Sequence, residues 1–231
     1  MMRYLLSGLG LLIFSLLTNQ GFAQILMDPS TTTKQGRSRL GFGLSLAELD
    51  YDTGSSTPEF KRKTVGVVFD HGIASKVDIT GQLGYIMDLE VESNHEDGKG
   101  FVLGFGVRGL LHSTNQLRVY GYGFFAYQKE DINYSSGGKM DITTYDFHLG
   151  SVIGFPLSSK IQPYFGLDLV AINDGDVEAK SGSVSVKSDI ERDDIVNIKL
   201  GLSAFFDAII LRPELTLFGE QTFVFSASFL L

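Results

Sequence analysis

The stretch FVLGFGVRGLL, residues 101–111, decides the fold class of this chain. Gly104, Gly106 and Gly109 in it match the spacing of the dinucleotide-binding fingerprint GxGxxG. A cofactor loop of that kind requires the strand to stop, the glycines to turn and a helix to begin at the phosphate. Apolar residues instead occupy every second position through the glycines. They are Phe101, Leu103, Phe105 and Val107. The stretch therefore predicts an uninterrupted β-strand and no nucleotide cofactor.

The same period of two recurs along the chain and marks ten candidate strands. They lie near residues 40–47, 64–69, 77–89, 101–111, 120–126, 144–155, 164–169, 196–206, 211–217 and 222–231. Short connectors are expected at 70–76, 112–116, 156–160 and 207–208, and longer polar ones at 52–59, 90–100, 129–139 and 173–193. Alternation of short turns with long loops is typical of antiparallel barrels in outer membranes.

The strand number depends on the ninth candidate, which contains Pro213. A proline cannot donate to the hydrogen-bond ladder, and a closed barrel has no free edge to accommodate it. A bulge or a late strand start near Pro213 would remove the conflict. We favour an all-β, antiparallel, up-and-down transmembrane β-barrel of ten strands, with eight strands as the alternative.

Glycines indicate which face of the barrel is inside. The face opposite the large apolar residues is rich in glycine rather than in lysine, glutamate and threonine, which would be expected on a solvated face. These glycines are Gly41, Gly43, Gly66, Gly84, Gly104, Gly106, Gly121, Gly123, Gly150, Gly154, Gly166 and Gly201. Small residues suit the crowded interior of a narrow barrel. The apolar face is therefore predicted to face lipid.

Charged residues on the inner face are predicted to form an ion-pair network in the lumen. The expected members are Asp78, Arg108, Asp146, His148, Asp168, Lys199, Arg212 and Glu214, and Asp88 is assigned to the same face. Both signs are present, and buried charges require partners. We expect these pairs to plug the lumen, whereas a thin water path along them is the alternative.

The N-terminus has the layout of a secretory signal peptide. A short basic region precedes the apolar run 5–17, and a small-residue cleavage site follows at Gly21-Phe-Ala23. We expect a signal peptide over 1–23, a flexible mature N-terminus over 24–38 and the barrel over 39–231. The chain contains no cysteine, which excludes disulfides and thiolate metal sites. Its net charge of -8 gives no basic patch for nucleic acid.

With these features the chain resembles the small outer-membrane β-barrel proteins of Gram-negative bacteria, the OmpA/OmpX-like family. The resemblance rests on the signal peptide, on Gly-aromatic strands such as 121–124 and on the last strand. In that family the last strand alternates aromatics and ends in one, which the barrel-assembly machinery recognises. The matching positions are Phe223, Phe225, Phe229 and Leu231, and here the terminal residue is leucine. The resemblance implies an exported monomer with periplasmic chaperones, outer-membrane lipid and lipopolysaccharide as partners.

Three patterns of reactive residues resemble enzyme or metal sites but do not lead us to predict one. His112-Ser-Thr-Asn115 is similar to the His-x-Ser-Asn element of lipid A deacylases, but its spacing differs by one residue. Asp146 and His148, with Asp168 on the next strand, could activate water as in omptin-like proteases, but we favour a structural network in the lumen for these residues. The acids in 90–97 and 174–176 lack the spacing of an EF-hand.

We therefore predict no catalytic residue, no metal site and no cofactor. The expected function is a structural, ligand-binding or adhesion role for a plugged barrel with loops at the cell surface. A small porin-like channel is the alternative, followed by an outer-membrane enzyme.

Overall fold

A computed structural model describes residues 28–52, 59–91, 97–133, 138–181, 184–192, 195–218 and 221–231. The strands in these ranges are β1 (Ser38–Asp52), β2 (Glu59–Ala74), β3 (Val77–Val91), β4 (Asp97–Ser113), β5 (Arg118–Asn133), β6 (Lys139–Gly154), β7 (Ile161–Ser181), β8 (Val184–Arg192), β9 (Val196–Phe206), β10 (Ile209–Leu217) and β11 (Gln221–Leu230). No helix in the described ranges is long and apolar enough to cross a membrane. The predicted signal peptide lies outside the described residues.

Ten of these strands form a closed antiparallel barrel, which confirms the predicted fold and strand number. Strands β1 to β7 pair in sequence order, β7 pairs with β9, and β9, β10 and β11 follow. The first and last strands close the ring, with Leu40 opposite Phe229. Strand β8 is not one of the ten; it continues the wall above β9, where it pairs with the upper part of β7 and with Tyr51 and Asp52 of β1.

Pro213 neither bulges nor delays its strand, in contrast to the two solutions that the sequence suggested. Strand β10 runs through Pro213 and pairs it with Phe225 of β11. On its other side β10 pairs with β9. The pairing is present at Leu211 and at Glu214, in the same register, and is absent at the two residues between them. The missing N–H of proline is thus accommodated by a local gap in one ladder.

Several predicted loops are in fact strand. Strand β5 continues to Asn133, β6 begins at Lys139, and β7 runs to Ser181 before β8 returns. The sequence missed these segments because their outward residues are polar, so the apolar alternation fades while the backbone pairing continues. The barrel wall consequently rises higher along β2 to β7 than along β10 and β11, and β8 raises it above β9.

The outward face of the barrel is apolar over most of its circumference. Side chains on it that are at least a third exposed include Phe42, Val67, Phe69, Ile79, Leu83, Tyr85, Phe101, Leu103, Phe105, Val107, Leu149, Phe165, Leu167, Leu169, Leu200, Phe225 and Phe229. Aromatic rings contact one another across strands, as Phe105 does with Phe125 at 5.4 Å between centroids. A contiguous apolar surface of this extent is unusual for a protein surrounded by water.

Strand β5 has the opposite orientation to the one predicted. Tyr120, Tyr122 and Phe124 point inward and are buried, whereas Gly121 and Gly123 lie on the outward face. The assignment of these two glycines to the inner wall was therefore wrong. The inner wall is nevertheless built with glycine at the remaining positions that we assigned on β4, β6, β7 and β9.

Inner glycines leave space for large inward side chains of the neighbouring strand. A Cβ atom at Gly104 would lie 2.4 Å from the Phe124 ring, and one at Gly150 would lie 2.1 Å from the Tyr122 ring. Likewise, a Cβ atom at Gly201 would lie 2.2 Å from the Tyr164 ring. These contacts determine which residues of β5 point inward, because β4 and β6 leave room for large side chains only on their inner face.

Gly106→Ala is expected to destabilise the barrel by about 1–3 kcal/mol, the usual range for overpacking. A Cβ at this position would lie 2.5 Å from the carbonyl oxygen of Gly123, and backbone cannot move aside cheaply. The control is Gly109→Ala on the same strand, whose nearest neighbour would be 3.7 Å away. Urea unfolding of the protein in lipid vesicles, followed by intrinsic fluorescence, measures both. Equal stability of the two variants would contradict the packing described here.

Candidate functional site

The structure places all eight predicted lumen residues inside the barrel, each at most 3% exposed. They are Asp78, Arg108, Asp146, His148, Asp168, Lys199, Arg212 and Glu214. They belong to separate groups along the barrel axis rather than to a single network. Each group also contains residues that the sequence analysis did not include.

The lowest group lies at the end of the barrel that carries the short turns. Arg108 bonds Asp78 on the neighbouring strand at 2.5 Å and lies 3.5 Å from Asp70. Arg39 binds Asp70 at 2.8 Å and approaches Asp28 at 3.5 Å. Two guanidinium groups and three carboxylates therefore alternate across the lumen, so that each buried charge has an opposite neighbour.

Asp28 belongs to the N-terminal segment, defined here as residues 28–36, which enters the lumen from the short-turn end. Ser30 is fully buried, and its hydroxyl lies 2.6 Å from that of Ser203. Gln162 donates to the Ser30 carbonyl at 2.8 Å, and Asp78 accepts from the Thr33 N–H at 2.7 Å. The short polar side chains of residues 28–33 thus complement the polar lumen.

Two glycines allow the N-terminal segment to lie against the wall. Gly36 has a φ of 74°, which reverses the chain before β1 begins. The carbonyl oxygen of Gly72 accepts a hydrogen bond from the Gly36 N–H at 2.8 Å, and the Gly72 N–H donates one to the carbonyl oxygen of Arg37 at 3.0 Å. A Cβ at Gly72 would lie 2.4 Å from the Lys34 carbonyl oxygen, so only glycine permits this approach.

The middle group is centred on the Asp168 carboxylate. His148 Nδ1 lies 2.9 Å from it, Tyr122 donates its hydroxyl at 2.7 Å and Asn197 donates its amide at 3.2 Å. Lys199 adds a positive charge at 4.0 Å. A carboxylate with this many donors has its charge satisfied within the protein, which suits a structural role.

Asp146 is not brought to this group, although the sequence paired it with His148 as a possible water-activating site. It accepts a hydrogen bond from Asn173, which lies beyond the β-bulge in β7. The segment similar to deacylases is likewise ordinary structure, because His112 and Ser113 end β4 in exposed positions. These arrangements supply no assembled nucleophile and base.

Arg212 and Glu214 form an ion pair on the inner face of β10, at 2.9 Å. Tyr164 donates its hydroxyl to the same carboxylate, and the Arg212 Nε donates to Ser226 at 3.1 Å. The pair therefore links β10 to Tyr164 of β7 and to Ser226 of β11.

The highest group contains a pair that the sequence analysis missed, Arg62 with Glu130. Their side chains are both fully buried, with Nε to Oε1 at 2.7 Å and Nη2 to Oε2 at 3.2 Å. Glu130 fell within a predicted loop, and Arg62 lay just beyond the predicted start of its strand. Continuing the period of two from Phe124 through Gln128 puts Glu130 on the same face as Phe124, which the sequence had assigned to lipid, so alternation alone would not have placed Glu130 inside.

Asp88 is not a lumen residue, in contrast to its predicted assignment. The register between β2 and β3 shifts next to Lys63, so Asp88 pairs with this outward lysine and forms a partly exposed ion pair with it. A β-bulge changes the face of every residue beyond it, and alternation alone cannot show this.

Some acids on the tall side of the barrel, such as Asp141 and Glu178, form ion pairs with lysines. A hydrogen bond from Lys180 lowers the pKa of Glu178, and the same pairing raises the pKa of Lys180. No group of carboxylates and histidines suited to a metal ion occurs among the described residues. The acids over 92–96 lie outside those residues.

Comparison of the folded chain with solved structures identifies the architecture. The outer-membrane protease OmpT of Escherichia coli matches 88% of this chain and 100% of its own, with a TM-score of 0.55 and 5% identity. The outer-membrane protein OprG of Pseudomonas aeruginosa matches 87% of this chain and 98% of its own, with a TM-score of 0.49 and 11% identity. Ail, the attachment invasion locus protein of Yersinia pestis, matches 85% of this chain and 99% of its own, with a TM-score of 0.43 and 12% identity.

This chain has the fold of an outer-membrane β-barrel. The similarity to OmpT carries this conclusion, and at 5% identity it concerns the fold alone. No protein-family model and no curated protein sequence matches the chain. The OmpA/OmpX-like resemblance therefore stays a prediction.

Arg62→Met is expected to destabilise the barrel by about 3–5 kcal/mol, because it leaves the Glu130 carboxylate buried without its cation. The double variant Arg62→Met/Glu130→Met should recover most of that loss, since replacing both partners of a buried pair is often close to neutral. Urea unfolding in lipid vesicles measures the two variants. Additive losses in the double variant would show that the two side chains act independently.

Proposed function

We propose that this chain is an integral outer-membrane protein with a plugged lumen and a surface role, structural, adhesive or ligand-binding. The observation that carries the proposal is the N-terminal segment, whose residues 28–33 occupy the lumen between ion pairs from several strands. A barrel built to conduct would keep that space for water. The proposal includes export by a cleaved signal peptide over 1–23 and a monomeric state.

The outward apolar surface supports the membrane location. It faces away from the lumen on every strand of the ring, and its residues would be unfavourable in water but suited to hydrocarbon. Short turns and both described ends of the chain lie at one end of the barrel, which we assign to the periplasm. The tall strands then stand at the cell surface.

Close packing around the N-terminal segment supports plugging. A cavity beside Asp28, lined also by Asp70 and Ser226, has a volume of only about 10 Å³. That is roughly the space of a single water molecule. Opposite charges held by Arg39, Arg108 and their carboxylate partners would resist the entry of either sign of ion.

The tall wall supplies a surface for the proposed role. Strand β7 and strand β8 form a hairpin above the ten-strand ring, and their exposed residues carry charges of both signs. Such a projection is suited to contact with ligands or with another cell. For assembly, we propose that the barrel-assembly machinery recognises the last strand through Phe223, Phe225, Phe229 and Leu231, of which Phe225 and Phe229 are exposed on the outward face.

Phe105→Arg tests the membrane location. The Phe105 side chain is 65% exposed on the outward face, in the middle of β4. In a bilayer the substitution should cost about 2–4 kcal/mol, the range for arginine at the membrane midplane. Leu157→Arg, in the exposed turn after β6, is the control and should change stability little. In water both substitutions would be nearly neutral, so equal effects, together with identical gel migration before and after boiling, would refute the proposal.

Asp28→Arg tests plugging, because the new charge would face Arg39 and Arg108 and expel the N-terminal segment. Wild-type protein in a planar lipid bilayer should show no reproducible step currents, whereas the variant should show them. Lys34→Gln, at an exposed position of the same segment, should remain silent. Steady step currents from the wild-type protein would instead identify a small channel.

A further inference from the structure

The upper part of β8 is a strand with one unpaired edge. Strand β8 pairs with β7 from Val184 to Ile190, whereas β1 reaches it only at Glu191 and Arg192. Between Val184 and Ile190 the other edge has no partner within the described ranges. Every second residue of such an edge turns its N–H and C=O away from the sheet, so the edge can accept a further strand.

The side chains of this part of β8 are open to solvent on both faces. Five consecutive residues, 185–189, are exposed. Val186 lies on the face that continues the inner wall, and its side chain is nevertheless 61% exposed. The hairpin of β7 and β8 therefore stands above the packed lumen, and no described part of the barrel covers its free edge.

A pair of like charges lies on the outward face of this hairpin. Asp189 of β8 lies directly opposite Asp176 of β7, and both are exposed. Like charges directly opposite one another destabilise a β-sheet. Asp189 forms no ion pair with any described residue. A cation on the strand that pairs with the free edge would relieve this repulsion.

Lys187 lies on the same face as Asp189, two residues away along β8. Its ammonium group is 3.9 Å from Glu178 of β7. Glu178 is bound more closely by Lys180, at 3.0 Å, and by the Ser185 hydroxyl, at 2.8 Å. The Lys187 side chain is 71% exposed, so most of its charge is directed to the surroundings of the hairpin.

A second copy of the same strand offers the complementary charges. When two copies of β8 pair antiparallel about a two-fold axis at Ser188, Lys187 of each copy lies opposite Asp189 of the other. Opposite charges at directly opposed positions stabilise a sheet. An axis at Lys187 would oppose the two lysines, and an axis at Asp189 would oppose the two aspartates. The charges therefore select the register centred on Ser188.

We propose that this edge pairs with the same edge of a second copy in a facing membrane, so that the chain joins two cells through copies of itself. A two-fold axis that relates antiparallel neighbours stands perpendicular to the sheet. The sheet here is the barrel wall, which rises from the membrane, so the axis lies parallel to the membrane plane and inverts the second barrel.

Two barrels in one membrane are both upright and do not meet this condition, so the chain stays a monomer in its own membrane. The inference rests on the proposed membrane location, which puts the tall rim at the cell surface. It assigns the adhesive role to one partner, the chain itself.

The experiment measures, by light scattering, the clustering of lipid vesicles that carry the full-length folded protein. Wild-type vesicles should cluster with one another. Lys187→Asp and Asp189→Lys vesicles should each cluster at least about tenfold more slowly, because two attractive cross-strand pairs become two repulsive ones. A mixture of the two kinds of variant vesicle should cluster as fast as the wild type, since the reversed charges of one variant face their opposites on the other.

The matched controls are Lys139→Asp on β6 and Asp131→Lys on β5, the same charge reversals at exposed positions away from the free edge. Each should cluster as the wild type does. Wild-type clustering rates in Lys187→Asp alone, or a variant mixture that stays dispersed, would overturn the proposal. Clustering of wild-type vesicles with protein-free vesicles would also overturn it, because the partner would then be lipid.

Cysteine substitutions test the register separately. The chain contains no cysteine, so each substitution supplies a single thiol per copy. Oxidation of clustered Ser188→Cys vesicles should give a disulfide-linked dimer, because the residue on the axis faces its own counterpart. Ser185→Cys should not, because in this register residue 185 lies opposite residue 191. A dimer from Ser185→Cys in equal yield, or none from Ser188→Cys, would contradict the pairing.

Heat-modifiable gel migration and labelling of vesicle-bound Ser185→Cys by a membrane-impermeant maleimide are measured first. Protein that neither migrates faster when unboiled nor inserts into vesicles would contradict the membrane location itself. Inserted and labelled protein whose vesicles do not cluster would contradict the strand pairing alone. The two proposals therefore fail in different measurements.

Discussion

The space inside a ring of ten strands is the constraint on which this structure depends. Such a ring is only slightly wider than one of eight strands, in which side chains already fill the interior. Each inward side chain must therefore fit beside its neighbours and satisfy its polar atoms without bulk water. Glycine beneath aromatic rings meets the first requirement, as at Gly104 under Phe124. Alternating guanidinium and carboxylate groups meet the second, as between Arg39 and Asp70.

The sequence predicted the barrel and most of its outward face because lipid imposes one simple rule, an apolar side chain at every second position. The rule fails on β5, where both faces are aromatic. Phe125 and Tyr127 point outward, whereas Tyr122 and Phe124 point inward. Hydrophobicity alone cannot show which of these two alternating sets of residues points inward. The choice lies in the glycines of the adjacent strands, and it requires knowing which strands are neighbours and in what register.

Likewise, only some of the charged residues in the lumen could be predicted from the sequence. Residues within the apolar strands, such as Arg108 and Asp168, could be assigned to the inside from alternation. Arg62 and Glu130 could not, because they lie where the wall rises above the apolar belt and the pattern loses contrast. The N-terminal segment was beyond such reasoning altogether. Its Ser, Thr and Asp residues have the composition of a solvent-exposed coil, and they are ordered only because a polar tube surrounds them.

The burial of this segment also constrains how the chain folds. Its partners Arg39, Arg108 and Ser203 lie on β1, β4 and β9, which are far apart in sequence and meet around one lumen only when the ring is complete. Its contacts with Asp78 and Gly72 lie on neighbouring early strands. Those with Gln162 and Ser203 need the later strands, so its docking is complete only when the ring has formed. Once docked, it links early and late strands across the interior, and opening the seam between β1 and β11 would require its contacts to break as well. The N-terminal segment is not part of the barrel wall, yet its contacts hold the closed barrel together from inside. It thereby contributes to the kinetic as well as the thermodynamic stability of the barrel.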